Sequence, residues 1–140
     1  MNDAAARLLA THGMLVLLAG LLSGFFYWLK LVQRRPEPQT RPWRVAHATL
    51  VAVGLTMAVA GLLLTRMAPS SPLCMPAAWW LVVSGWSFGF AMIGGGITGL
   101  RGLTPEPWGL NTVIFAAHAL GALGSTLGIG LLAWVLVFGS

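Results

Sequence analysis

Hydrophobic residues fill four long stretches of the chain, and the polar residues collect between them. The stretches cover residues 8–32, 45–65, 77–99 and 110–138. Each is long enough to cross the hydrocarbon core of a bilayer, which requires about 20 apolar residues in a helix. The pattern therefore predicts an all-α integral membrane protein, with residues 1–140 forming a single domain, a four-helix transmembrane bundle with prolines in its loops.

Composition agrees with this pattern, and charge adds an orientation. Of the 140 residues, 57 % are hydrophobic and 8 % are charged, and the mean hydropathy is +0.82, well above the range of soluble globular proteins. The net charge of +5 comes mainly from basic residues in or beside the first predicted loop, residues 30–44. The positive-inside rule places this loop in the cytoplasm and both termini outside. The lipid bilayer is therefore the predicted partner, and binding to nucleic acid is not expected.

Small residues recur along one side of the predicted helices. The first span has Gly20 and Gly24 at GxxxG spacing, and the third has Met92 among glycines at positions 85, 89, 96 and 99. Small residues let helix backbones approach closely in a membrane, where lipid tails are as apolar as leucine. These positions therefore predict close contacts between helices or between subunits.

His47 stands at the start of the second span and heads a stripe of small residues. Gly54, Ala58 and Gly61 follow it on the same side of a helix with 100° per residue. A flat group with its centre bonded to the imidazole would fit such a bare stripe, and haem has this shape. The alternative interpretation is that the histidine forms a hydrogen bond between helices and the glycines pack them.

The fourth span carries its own polar side. Asn111, His118 and Ser125 are seven residues apart, and we expect them to face the bundle interior because lipid contact is costly for polar groups. His118 lies about 13 Å deep at 1.5 Å per residue, in the same half of the membrane as His47, so the two histidines are candidates for one site. His12 is predicted to lie in another layer. No span has a charged residue well inside it, which does not favour a channel or transporter.

Four short segments, taken together, resemble a known family. They are His12-Gly13, the segment from Trp43 to His47, Gly85-Trp86 and the Arg-Gly-Leu-Thr segment 101–104. In this order and spacing they are similar to segments of the styrene oxide isomerases, small four-span bacterial membrane enzymes that convert an aryl epoxide to an aldehyde. The similarity extends over nearly the whole chain.

This resemblance implies a cofactor, an assembly and a reaction. Haem b is held by the histidine of the second helix, which makes His47 the metal ligand. Gly54 and Ala58 of the small-residue stripe, and Met92 of the third span, are the further predicted cofactor contacts. The assembly implied is a homotrimer in the bacterial inner membrane, and the substrate is a small hydrophobic epoxide. Ferric iron with an open position acts as a Lewis acid on the epoxide oxygen, and a dry pocket keeps water from capturing the cation.

Two departures from the family leave the function open. Val53 and Met92 stand where the family has an asparagine and a tyrosine, so Asn111, His118 and Tyr27 are the predicted catalytic residues of a divergent isomerase. Alternatively His118, or Met92, is a second axial ligand, and the protein is a non-catalytic haem b protein for electron transfer or haem sensing. In a third interpretation the chain has no cofactor and is a membrane scaffold or accessory subunit.

Overall fold

The computed structural model describes residues 2–66 and 71–138. In this part of the chain there are four α-helices, α1 (Asn2–Val32), α2 (Glu37–Arg66), α3 (Cys74–Thr98) and α4 (Leu110–Phe138). All four are long and apolar enough to cross a membrane. The all-helical architecture with four spans, predicted from hydropathy, is therefore confirmed.

Helices α1, α2 and α3 begin earlier than the hydrophobic stretches. Helix α2 starts at Glu37 instead of residue 45, so most of the segment predicted as a basic loop, residues 30–44, is helical. Pro38 and Pro42, two of the predicted loop prolines, lie inside α2, and Pro76 lies inside α3. Pro38 and Pro76 lie in the first turn of their helices, where the backbone N–H has no intrahelical partner to lose, whereas Pro42 lies about one turn further into α2. Hydropathy misses these turns because they extend beyond the apolar core.

The helices alternate in direction, and each pair packs differently. Helix α1 lies along α2, whereas α3 contacts α1, α2 and α4. Helix α4 packs mainly on α3, so a gap remains between α2 and α4. One cavity of about 390 Å³ opens in this gap, between aliphatic residues of α2 and α4 that include Leu63 and Leu136.

Glycines set the distance between α1 and α2. A Cβ atom added to Gly54 would lie 2.6 Å from the Leu17 backbone nitrogen, and one added to Gly20 would lie 2.7 Å from the Val51 backbone nitrogen. The two backbones are therefore in direct contact, as small residues permit in membranes. The GxxxG pair of the first span is thus a helix contact, as its spacing predicts.

Candidate functional site

His47 is half-buried on the side of α2 that faces α1. Its Nδ1 lies 2.9 Å from the carbonyl oxygen of Gly20. A carbonyl can only accept a hydrogen bond, so Nδ1 donates and the lone pair of the neutral ring is on Nε2. Within residues 2–66 and 71–138, Nε2 has no hydrogen-bond partner. Metal-binding histidines usually donate their other ring N–H to a carbonyl or carboxylate in this way, which fixes the ring and raises its basicity.

Gly24 provides the space in which the imidazole lies. A Cβ atom at this position would be 2.6 Å from His47 Nδ1 and 2.9 Å from Cε1. Gly20 therefore supplies the carbonyl that orients the ring, while Gly24 supplies the room. The GxxxG spacing predicts only a packing role for these two glycines. Their relation to His47 depends on the antiparallel register of α1 and α2.

The stripe of small residues below His47 is covered by α1. Gly54 packs on the backbone of Leu17, and a Cβ atom added to Gly13 would lie 3.0 Å from the Ala58 backbone nitrogen. The expectation that Gly54 and Ala58 leave an open wall for a flat group does not hold within one chain, because α1 lies along that wall. The structure gives these two residues a packing role.

Met92 and His118 meet in a different place, which we call the basic-end cavity. It has a volume of about 300 Å³ and is lined by Arg41 and Val45 of α2, Met92 of α3, Arg101 of the α3–α4 loop and His118 of α4, together with neighbouring residues. The side chain of His118 is about two turns into α4, as its position in the sequence predicts. The two arginines of the lining had no predicted role.

The structure does not bring His47 and His118 together. His47 is not among the residues that line the basic-end cavity, and Val45, which does line it, is separated from His47 by about 200° around the helix axis. The two histidines therefore lie on opposite sides of α2. One chain cannot present both imidazoles to the same iron without a large rearrangement of α2.

Asn111 holds the α3–α4 loop. Its Oδ1 accepts from the Gly102 N–H at 3.1 Å, and its Nδ2 donates to the carbonyl oxygens of Thr104 and Glu106 at 2.9 and 2.8 Å. The residue is 8 % exposed, and both of its N–H groups are in use. In the structure Asn111 therefore anchors the α3–α4 loop, and both of its amide donors bond to loop carbonyls.

Replacing Asn111 with alanine is expected to destabilise the protein by about 2 kcal/mol, because the loop loses three hydrogen bonds and keeps buried polar groups without partners. Thermal unfolding in detergent and limited proteolysis of residues 102–109 measure this effect. Thr126→Ala is the control, since the Thr126 hydroxyl is exposed and bonds only within its own helix, to Ala122. Equal unfolding temperatures of the two variants would contradict the anchoring role.

Tyr27 is the predicted catalytic residue that lies nearest to the His47 side of the bundle. It is half-buried and falls on the same face of α1 as Gly20 and Gly24, about one turn beyond Gly24. Its phenol has no hydrogen-bond partner in the described ranges. It is therefore an available O–H donor on the α1 face that packs against the His47 imidazole.

Trp43, one turn before His47, joins three helices. Its ring centroid is 4.9 Å from that of Phe26 on α1, with an angle of 33° between the rings. A Cβ atom added to Gly96 of α3 would lie 3.1 Å from Trp43 Cε2. The side chain is 7 % exposed, so it stabilises the turn of α2 from which His47 projects.

Comparison with protein families identifies the group to which this fold belongs. The family described as styrene oxide isomerase matches residues 5–137. The chain belongs to the styrene oxide isomerase family. No curated protein and no solved structure matches it.

In this styrene oxide isomerase family member, the segments that carry the resemblance are contact points between elements. Trp86 Nε1 donates to His12 Nδ1 at 3.1 Å, which joins the first segment to the third. The second segment contains Trp43 and His47, and the fourth contains Gly102, which bonds to Asn111. The family pattern thus includes the residues that fix the helices relative to one another, and His12 belongs to a layer separate from His47.

The residues at His47 fit an axial haem ligand. Within the described ranges no three His, Cys, Asp or Glu side chains form a metal-binding group. A haem iron does not require such a group, because the porphyrin supplies four nitrogens and the protein one axial ligand. His47 offers an oriented imidazole whose Nε2 is unpaired among the residues described.

Proposed function

We propose that this protein is a membrane isomerase that converts a small hydrophobic epoxide, of the aryl epoxide class, into an aldehyde, with haem b held by His47. Membership of the styrene oxide isomerase family supports the isomerase chemistry. The Nδ1 contact of His47 with the Gly20 carbonyl is the observation that carries the ligand assignment. When bound there, ferric haem supplies a Lewis acid for the epoxide oxygen.

The residues on the α1 and α2 faces have separate roles in this proposal. His47 donates its Nδ1 proton to Gly20, which keeps Nε2 available as a ligand. Tyr27 is proposed to donate a hydrogen bond to the epoxide oxygen, because negative charge grows on that oxygen as its bond to the benzylic carbon breaks. The hydrogen that moves to the benzylic carbon comes from the neighbouring carbon with its electron pair. The side chains therefore have no net proton to add or remove.

Exclusion of water is the other task of the chain. Helix α1 has no charged side chain from Leu8 to Leu29, and α2 has none from Val45 to Thr65. Water would capture a benzylic cation as a diol, and an apolar surrounding prevents this side reaction. Phe26 and Trp43 stack one turn from His47 and add aromatic surface there.

The assembly and orientation are part of the same proposal. The family resemblance implies a homotrimer in the bacterial inner membrane, and the charges support an orientation with the basic end in the cytoplasm. This end carries Lys30, Arg34, Arg35, Arg41, Arg44 and Arg101. Arg7 and Arg66 are at the opposite end.

A bis-ligated electron carrier or haem sensor is the second candidate function. It needs a sixth ligand, and His118 is the residue that suggests it. The position of His118 across α2 from His47 supports an open coordination position within one chain instead. Ligation by a histidine from a second copy is tested by the spin state described next.

The test is conversion of styrene oxide to phenylacetaldehyde by protein purified in detergent from haem-replete cells. We expect a Soret absorption band, a high-spin ferric signal in electron paramagnetic resonance and aldehyde formation well above that of heat-inactivated protein. A colourless preparation would contradict the haem proposal and favour the cofactor-free scaffold. A low-spin signal that becomes high-spin in His118→Ala would favour the bis-ligated alternative.

A further inference from the structure

The basic-end cavity has a composition that the proposed isomerase does not use. Its volume is about 300 Å³, and its lining combines the cationic side chains of Arg41 and Arg101 with apolar groups such as Val45, Met92 and Leu103. His47 lies on the other side of α2. A cavity with cations beside an apolar wall fits a molecule that has an anionic group and a hydrocarbon part.

The two arginines have no carboxylate partner in the described ranges. The ion pair found there joins Arg44 Nη2 to Glu37 Oε1 at 3.0 Å. The chain has three acidic residues, and of the other two Asp3 is at the far end of α1, while Glu106 is exposed in the α3–α4 loop and forms no ion pair. Guanidinium groups bind phosphate oxygens through two parallel hydrogen bonds. Arg41 and Arg101 are thus available to an external anion.

A second, aliphatic cavity lies further along α2, in the gap between this helix and α4. Val45, Thr49, Ala52 and Thr56 share the side of α2 that faces this gap, and the Thr56 hydroxyl donates to the Ala52 carbonyl of its own helix. Thr56 and Leu55 line the second, aliphatic cavity in the same gap. The rise from Val45 to Leu55 is about 15 Å, close to half of the roughly 30 Å hydrocarbon core. One acyl chain of one leaflet therefore matches this length.

The position of the cavity in the membrane also favours a lipid as its ligand. Arg41 is near the start of α2 and Arg101 follows the end of α3, so both lie at the end of the bundle where lipid headgroups begin. Basic pockets between transmembrane helices at such a boundary bind anionic headgroups. The neighbouring Lys30, Arg34 and Arg35 raise the local positive potential.

We propose that the basic-end cavity binds one anionic phospholipid, with the headgroup phosphate between Arg41 and Arg101 and an acyl chain in the α2–α4 gap. The lipid would fill the space that α4 leaves against α2. It would connect two helices that have little direct contact. The site is independent of the haem proposal because it uses the opposite side of α2.

Native mass spectrometry of the full-length protein, incubated with equal amounts of phosphatidylglycerol and phosphatidylcholine, tests this site. We expect the wild type to retain phosphatidylglycerol in preference to phosphatidylcholine. The double variant Arg41→Gln/Arg101→Gln should lower phosphatidylglycerol retention by about tenfold or more. Val45→Phe, which fills the apolar part and keeps both arginines, should also lower it.

Matched variants separate this site from general surface attraction. Arg34→Gln/Arg35→Gln removes the same charge from the same end but from residues outside the cavity, and Val113→Phe enlarges an exposed residue that lines neither cavity. Val113→Phe should retain the lipid as the wild type does, and Arg34→Gln/Arg35→Gln should lower retention much less than Arg41→Gln/Arg101→Gln does. An equal loss in Arg34→Gln/Arg35→Gln, or no preference in the wild type, would overturn the proposal. If Arg41→Gln/Arg101→Gln fails to fold, Val45→Phe against Val113→Phe decides the outcome.

Competition identifies which part of the ligand is recognised. Inorganic phosphate alone should not displace phosphatidylglycerol, because it lacks the acyl chain. Oleate should compete more weakly, because it lacks the glycerol headgroup and the second acyl chain. Displacement by inorganic phosphate would overturn the role of the apolar gap. Displacement by oleate at the concentration of the phospholipid would overturn the assignment to a phospholipid.

Discussion

Replacing His47 with alanine is expected to remove the haem absorption band and to reduce epoxide isomerisation to the background rate. The imidazole is the axial ligand in the proposed site, and alanine has no atom that binds iron. The fold should persist, because the side chain makes one hydrogen bond, to the Gly20 carbonyl. Absorption spectra, aldehyde assays and thermal unfolding of the same preparation measure the three effects separately.

His118→Ala is the matched histidine control for this variant. It should keep the absorption band, because His118 lines the basic-end cavity on the other side of α2. Gly24→Ala is a companion variant that keeps His47 but places a Cβ atom 2.6 Å from His47 Nδ1, so we expect weaker haem retention. Gly130→Ala is its control, because a Cβ atom there meets nothing within 4 Å and should not change haem retention. A band that survives in His47→Ala, or disappears in His118→Ala, would refute the ligand assignment.

Replacing Gly54 with leucine is expected to prevent α1 and α2 from packing and to remove most of the folded protein. A Cβ atom at this position would lie 2.6 Å from the Leu17 nitrogen and 2.8 Å from the Gly13 oxygen. Both atoms belong to the backbone of α1, so no flexible side chain can move aside. Overpacked sites usually cost roughly 1–3 kcal/mol and occasionally more, and a contact between two helix backbones belongs at the upper end.

Gly130→Leu is the control for the leucine substitution, because a Cβ atom there meets nothing within 4 Å. Size-exclusion chromatography in detergent and the thermal unfolding midpoint compare the two variants. Gly130→Leu should behave as the wild type. A Gly54→Leu protein with wild-type elution and unfolding would show that the α1–α2 contact is not as close as described.

Hydropathy predicts the spans because it reports how much of a helix lies in hydrocarbon. The fourth stretch, residues 110–138, coincides with α4. The start of α2 escapes this signal, since the polar turns from Glu37 to Arg44 are helical outside the apolar core. Arg41 of the basic-end cavity escapes it for the same reason, because hydropathy assigns it to a loop, where a residue has no predicted helix face. Arg101 is in a loop in the structure as well, and its place depends on how that loop folds.

The site is predicted in part. The residue type and helix position of His47 single it out, and GxxxG spacing marks Gly20 and Gly24 as a contact. The register between helices determines which helix covers the Gly54 stripe. It also determines on which side of α2 His118 lies. Periodicity within a single helix carries no information on this register. In the sequence, only the similar membrane depth of His47 and His118 suggests a shared site, and nothing there shows that α2 separates them.

The hydrogen bond between His47 and Gly20 joins residues on two helices, and this has a consequence for biogenesis. The imidazole acquires its final orientation only after α1 and α2 have inserted into the membrane and packed against each other as a helical hairpin. In the proposed site, cofactor capture at His47 would therefore be a late maturation event. The α1–α2 hairpin precedes it, because a nascent chain from which only α1 has left the ribosome still lacks His47.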